Sequence, residues 1–308
     1  MGAVNTVLGE IFPENMGLTD AHNHVWIDSI PCRAPNPPVL NQQQEILAEL
    51  IEYARAGGKT ILDCQPAGCG RNANQLAALS RLSGVQIISS TGFHRPIYFV
   101  PDYWLWRAPT DAITRHFVAE ARTGMLETVY QEIPIKAGFI KIACEESLQK
   151  TYRPALDAAA AAALETGLSI EIHTEKGADA ENIADFFLKH GLRPGKIVIC
   201  HIDKRPDIGL HRALAQAGLF LEYDTFYRPL YHPEKYLWNL IVEMVTAGHE
   251  TQITLATDMA QATMWTNLGG APGLAYFPKH IRKRLHDMGF SDNCIDNLMG
   301  ANISRCLA

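Results

Sequence analysis

The chain has 308 residues, an apolar fraction of 47%, a charged fraction of 19% and a formal net charge of −6. Those values describe a globular chain with a large core and no basic excess with which to neutralise phosphates, so nucleic acid is excluded as the main partner. No apolar run reaches the ~18 residues that span a bilayer, and the start lacks a basic segment followed by an apolar one, so neither a membrane nor a secretory route is expected. The seven cysteines form no C-x-x-C pair and several lie in apolar runs, which points to reduced, buried thiols and a cytoplasmic protein.

Eight short strand candidates follow in order at 18–24, 60–65, 85–93, 139–143, 168–174, 196–202, 219–224 and 253–258. Runs such as TILDC, VQIIS, KIVIC and ITLAT are continuously apolar, as expected of parallel strands buried on both faces. Helix-like segments at 41–57, 72–83, 111–130, 151–166, 178–190, 205–217 and 233–248 alternate with them. The clearest is 151–166, with Pro154 near its start and Gly167 beyond its end. This alternation predicts an α/β fold, a single (β/α)8 barrel over 1–308 with its active site at the C-terminal ends of the strands. An open doubly wound sheet is the alternative. A Pro-rich loop at 29–40 and a long loop at 259–280 follow the first and last strands, where barrels place substrate-shaping segments.

Six residues of metal-binding chemistry end these strands: His22 and His24 in TDAHNH, Lys141 in FIKIA, His173 in EIHTE, His201 in ICHID and Asp258 in ATDMA. Imidazole and carboxylate suit zinc and its neighbours, and side chains two apart on a strand share a face. Any single histidine here reads more simply as a satisfied core imidazole. Strand-end placement separates these four from His116, His190, His211, His249, His280 and His286, which lie in helix-like or surface contexts. Asp258 is placed to ligate a metal and to accept a proton from a water acidified by two ions, so the implied chemistry is metal-assisted hydrolysis.

The blocks VNTVLGEIFPENMGLTDAHNH, GGKTILDCQPAGCGRN, STGFHRP, AGFIKIA, EIHTEKG, ICHIDKRPD, LATD and NISRCL come in the order of the phosphotriesterase family of the amidohydrolase superfamily, which includes phosphotriesterase-like lactonases. The resemblance covers nearly the whole chain. It implies two divalent ions, zinc first with manganese, cobalt or iron as alternatives. His22, His24 and Asp258 would hold one ion, and His173 and His201 the other. Lys141, carboxylated by CO2 to a carbamate, would bridge them. Its amine would be neutralised by the nearby ions and by burial; the other reading is a lysine that touches a substrate anion. In the family a hydroxide between the metals attacks the ester while the aspartate carries the proton. Relatives are often dimers, which makes a homodimer the expectation.

Asn23 replaces a common glutamate and should point away from the metals. His94 stands where many lactonases have a tyrosine, and the segment DTFYRPLYHPEKY resembles members suspected of acting on sugar lactones or acylated sugars. Arg228, Tyr231 and His94 are therefore the expected substrate contacts, for a small lactone or ester. A solvated arginine and a packing tyrosine are the plainer readings of the first two. Hydrolysis of phosphotriesters on the same metals, or a barrel that binds without reacting, are the competing functions. Arg71 is expected to pair internally, and the aromatics 98–106 to wall the pocket or form an interface, with a slight lean to the interface.

Overall fold

A computed structural model describes residues 2–308. Eight parallel strands form one sheet: β1 Thr19–Asn23, β2 Thr60–Asp63, β3 Gln86–Gly92, β4 Phe139–Ala143, β5 Ile170–His173, β6 Ile197–Cys200, β7 Phe220–Tyr223 and β8 Ile253–Leu255. They pair in sequence order from β1 to β8, and the sheet curls into a nearly closed barrel. Helices lie between the strands: α1 Gln43–Arg55, α2 Ala73–Ser83, α3 Thr110–Arg122, α4 Arg153–Thr166, α5 Ala180–Lys189, α6 Ile208–Gln216 and α7 Leu237–Thr246. Their apolar faces and the outer strand residues form one continuous core, with Leu50, Leu76, Phe117, Ile183 and Ile241 all buried. The (β/α)8 architecture expected from the alternation is the fold observed. No helix among the described residues is long and apolar enough to cross a membrane.

Local signals explain the boundaries. Asn72 caps α2 by accepting from Gln75 N, and Gly84 ends it at φ 75°. Pro154 opens α4 and Gly167 closes it at φ 76°. The expected helix at 111–130 stops at Arg122, because Gly124 takes φ 154° and a Cβ there would lie 2.4 Å from Pro134 Cβ. Pro206 delays α6, which starts at Ile208 with Asp207 as its cap.

Two features went unread in the sequence. A hairpin of Val4–Thr6 with Gly9–Ile11 precedes the barrel. Beyond Phe277 the chain is helical through α8 Arg282–Asp287, α9 Asp292–Asp296 and α10 Asn302–Leu307. The expected loop at 259–280 is anchored in the core, since Met264, Trp265, Leu274 and Phe277 are buried. Buried Glu49 of α1 pins it, accepting from Asn267 N, Asn267 Nδ2 and Leu274 N at 2.8–2.9 Å.

The barrel has a seam where β8 meets β1 without a strand ladder. Pairing of β1 with β2 slips between Asp20 and Asn23. Asn23 Nδ2 donates to Asp20 Oδ2 and to Thr257 Oγ1, both at 2.8 Å, and Thr257 N donates to Asp20 Oδ1 at 3.0 Å. Asp258 N donates to His22 O at 2.9 Å. Side chains thus close the seam, and Asn23 turns away from the ligands as expected.

Candidate metal centre

The seam sets His22 and His24 at the top of β1, beside Asp258. Asp258 Oδ1 lies 3.9 Å from His22 Nε2 and 3.7 Å from His24 Nε2. His22, His201 and Asp258 offer donor atoms within 4.8 Å of one another. Ring centroids of His22 and His201 are 4.7 Å apart, and those of His173 and His201 are 4.6 Å apart. Five strand-end candidate ligands from β1, β5, β6 and the segment after β8 therefore share one mouth. His201 (φ 61°) and Asp258 (φ 47°) both adopt the left-handed conformation, uncommon outside glycine and often found at functional sites.

Neighbouring acceptors orient the imidazoles. His22 Nδ1 donates to Glu222 Oε2 at 2.8 Å, and His24 Nδ1 to Gln65 Oε1 at 2.7 Å. His201 Nδ1 donates to Asp224 Oδ2. With these acceptors the proton sits on Nδ1 and Nε2 is the unprotonated nitrogen, as a metal requires; that of His22 lies 3.1 Å from Lys141 Nζ. His173 Nε2 is buried without a hydrogen-bond partner, because Glu175 Oε2 at 3.7 Å is too distant. Burial holds His22, His24, His173 and His201 below the usual histidine range, so all four are neutral near pH 7. Burial alone would raise Asp258, but Arg228, His201 and Lys204 bring it down to about 2. Neutral imidazoles, an ionised carboxylate and an unpartnered buried ring nitrogen fit divalent cations.

Lys141 is fully buried, with Nζ 3.1 Å from His22 Nε2 and 3.7 Å from Cys200 Sγ. The expected fall in its pKa does not come from the protein itself. Burial pushes it down, but Cys200, Cys64, Glu171 and Glu222 outweigh burial and hold it above the usual lysine range. These neighbours favour the protonated amine, and carboxylation would require that it lose its proton.

Those acids escaped the sequence reading. Glu171 and Glu222 have no solvent exposure, and each keeps one oxygen unpartnered. Glu171 lies two residues before His173 and Glu222 two before Asp224, so period two puts each pair on one face. A carboxylate inside an apolar strand was the available signal.

Above the histidines opens a cleft of about 400 Å³. Ile30, Cys32 and the segment 34–39 line it, as expected of the Pro-rich loop, whereas the loop after β8 gives only Ala260 and Gln261. Arg228 and His94 line it too. Arg228 Nη2 donates to both Asp258 O and Asp258 Oδ2 at 2.6 Å. Tyr231 is not part of the lining; its ring lies 5.7 Å from Nζ of Lys204. Lys204, also missed, places Nζ 3.8 Å from Asp258 Oδ2 and 3.7 Å from Asp224 Oδ1. Its position three residues after His201 was the only sequence hint. Of the aromatics at 98–106, Tyr98 lines the cleft, while Phe99 packs inside against Tyr103 and Trp106. Arg71 pairs internally as expected, giving hydrogen bonds to Glu120, Glu127 and Ser90 O.

A (β/α)8 barrel with histidines from β1, β5 and β6 and an aspartate after β8 defines a metal-dependent hydrolase barrel. The chain belongs to the phosphotriesterase family, whose sequence profile matches residues 2–307. It is 30% identical over 321 residues to a phospho-furanose lactonase of Mycoplasmopsis agalactiae, covering 99% of this chain and 91% of that one. A lactonase structure from Listeria monocytogenes superposes with a TM-score of 0.89 at 25% identity, covering 100% of this chain and 99% of the other. An amidohydrolase structure from Mycoplasma synoviae gives 0.89 at 28% identity, covering 99% and 92%.

Proposed function

We propose that the protein opens the ring of a furanose lactone that carries a phosphate or similar anionic group. The observation that carries this reading is the pair of cations, Arg228 and Lys204, that reach Asp258 Oδ2 on the side away from the β1 histidines. The names of the relatives agree with it. A phosphotriester is neutral and offers neither cation a charged group, and a barrel that only binds has no need of three imidazoles oriented by buried acceptors.

His22, His24 and Asp258 would hold one divalent ion, and His173 and His201 a second, with a carbamate on Lys141 between them. Nitrogen and oxygen donors favour zinc, with manganese, cobalt or iron as alternatives. When bound, such ions supply a water acidified towards neutral pH and polarise the scissile carbonyl. Glu222, Gln65 and Asp224 keep the ligating nitrogens aimed. Arg228, which lines the cleft, binds the anionic group and fixes the orientation of the lactone, with Lys204 held against Asp258 and Asp224 adding to the positive field there. The Pro-rich loop walls the cleft and reduces the access of bulk water. A water oxygen adds to the carbonyl carbon, the ring C–O bond breaks, and Asp258 carries the water's proton to the departing ring oxygen, giving a hydroxy acid.

The test is a substrate panel: furanose lactones with and without a phosphate, simple aliphatic lactones and aryl phosphotriesters. The reading expects kcat/KM to be highest on a phosphorylated lactone. A preference for phosphotriesters would overturn it.

A further inference from the structure

The histidine rings around the cleft do not all point the same way in hydrogen-bonding terms. His22, His24 and His201 each face an acceptor through Nδ1, so each presents a bare Nε2. His94 is the reverse. The backbone N–H of Arg95 donates to His94 Nδ1 at 2.7 Å. A nitrogen that accepts from an N–H carries no proton, so the proton of this imidazole is on Nε2. Among the described residues no acceptor takes that N–H, and the ring is one wall of the cleft. It packs edge-on against Tyr98 at 4.8 Å and lies 5.6 Å from the His173 ring and 6.2 Å from the His24 ring.

We propose that His94 is a catalytic residue that is not a metal ligand: its Nε2–H donates a hydrogen bond to the carbonyl oxygen of the lactone as negative charge builds there. An N–H of fixed direction, in a cleft already lined with imidazole, is the donor such an oxygen needs. Its location also suits the substrate. His94 follows β3 and Arg228 follows β7, four strands apart in an eight-stranded barrel and so on opposite sides of the mouth. A furanose lactone with its anionic group remote from the carbonyl would place that group at Arg228 and its carbonyl near His94. The role rests on the lactonase reading only for the identity of the acceptor; any ester carbonyl offers the same oxygen.

Three variants separate donor from bulk. Gln carries an N–H near the position of the histidine Nε2, Asn carries one only near Nδ1, and Phe keeps the ring without a donor. His94→Phe and His94→Asn are expected to lower kcat on the phosphorylated lactone by roughly 10²-fold, the usual loss for one oxyanion donor. His94→Gln should remain within about tenfold of wild type on the same scale. Metal content measured on the same samples should be unchanged. Wild-type rates in His94→Phe, no rescue by Gln, or metal lost in step with activity would each overturn the proposal. If wild type opens no lactone but cleaves an aryl carboxylic ester, the lactone reading fails and the same series on that ester still decides the role of His94. Independently of turnover, ¹⁵N NMR of the wild-type rings should show a histidine with a bare Nδ1 and a protonated Nε2 whose signal is absent in His94→Gln, in addition to the one from His211, whose Nε2 donates to Arg205 O. A proton on Nδ1 of His94 would refute the assignment.

Discussion

Arg228 and Asp258 divide the carboxylate between two tasks. Arg228 Nη2 takes Oδ2 and the backbone carbonyl at 2.6 Å each, which leaves Oδ1 turned towards His22 and His24. One aspartate therefore joins the ligand side of the mouth to its cationic side. An anion entering the cleft would meet a guanidinium already set beside Asp258.

Removing that guanidinium should discriminate between substrates. Arg228→Ala is expected to raise KM for a phosphorylated lactone by roughly 10- to 150-fold, the equivalent of one charge-assisted hydrogen bond at ~1.5–3 kcal/mol. For a neutral lactone the change should stay within a few fold. Steady-state kinetics on the matched pair is the measurement, and equal small changes would remove Arg228 from substrate binding.

How much of this was readable without coordinates depends on what each residue had to disclose. His22, His24, His173, His201 and Asp258 announced themselves because each ends an apolar run, and the barrel brings them together. Lys141 was readable in position but not in surroundings, because the groups that face its amine, Cys200, Cys64, Glu171 and Glu222, come from strands distant in sequence. Those glutamates were hidden inside runs that still read as strand. Hairpin strands of three residues are too short to show alternation. The C-terminal helices are interrupted by π turns at Phe277–Ile281 and Asn297–Ala301, which break the 3.6-residue period that would betray them.

Glu222 should tune metal affinity through His22. Replacing the partner that orients a ligating histidine typically weakens metal binding by about 10- to 100-fold. Glu222→Leu, which leaves His22 Nδ1 without an acceptor, is expected to fall in that range. Glu222→Gln, which keeps an acceptor, should fall less. Chelator competition measures both, and unchanged affinity in the leucine variant would show that the bond to His22 is dispensable.

For Lys141, the carbamate reading predicts a chemical rescue. Lys141→Ala should lose metal and activity together, and small carboxylic acids added to the variant should restore part of each. Metal analysis alongside the rate is the check, and a variant with full metal and a near-normal rate would exclude Lys141 as a ligand.

Acid stability should depend on Arg71 and Glu120, both buried under the barrel wall. Burial alone would raise the Glu120 carboxyl, but the Arg71 charge and hydrogen bonds, with Thr91 Oγ1, bring it down to about 2 from 4.5. A depressed carboxylate contributes stability that is present above its unfolded pKa and lost as pH falls towards the folded one. The contribution, roughly 3 kcal/mol, should therefore be complete above pH ~5 and fade between there and pH ~2. Glu120→Gln should be less stable than wild type at pH 7 and lose less on acidification. Urea titrations from pH 7 to pH 3 would show it, and parallel losses in the two proteins would contradict it.

The most direct test of a metal-dependent lactonase is to follow acid release from a phosphorylated furanose lactone by the same preparation before and after a chelator strips it, with the bound metal counted each time. The account predicts about two divalent ions per chain at the start, activity that falls as they are removed, and recovery when zinc or manganese is returned with bicarbonate. Undiminished lactone opening by metal-free protein would contradict it.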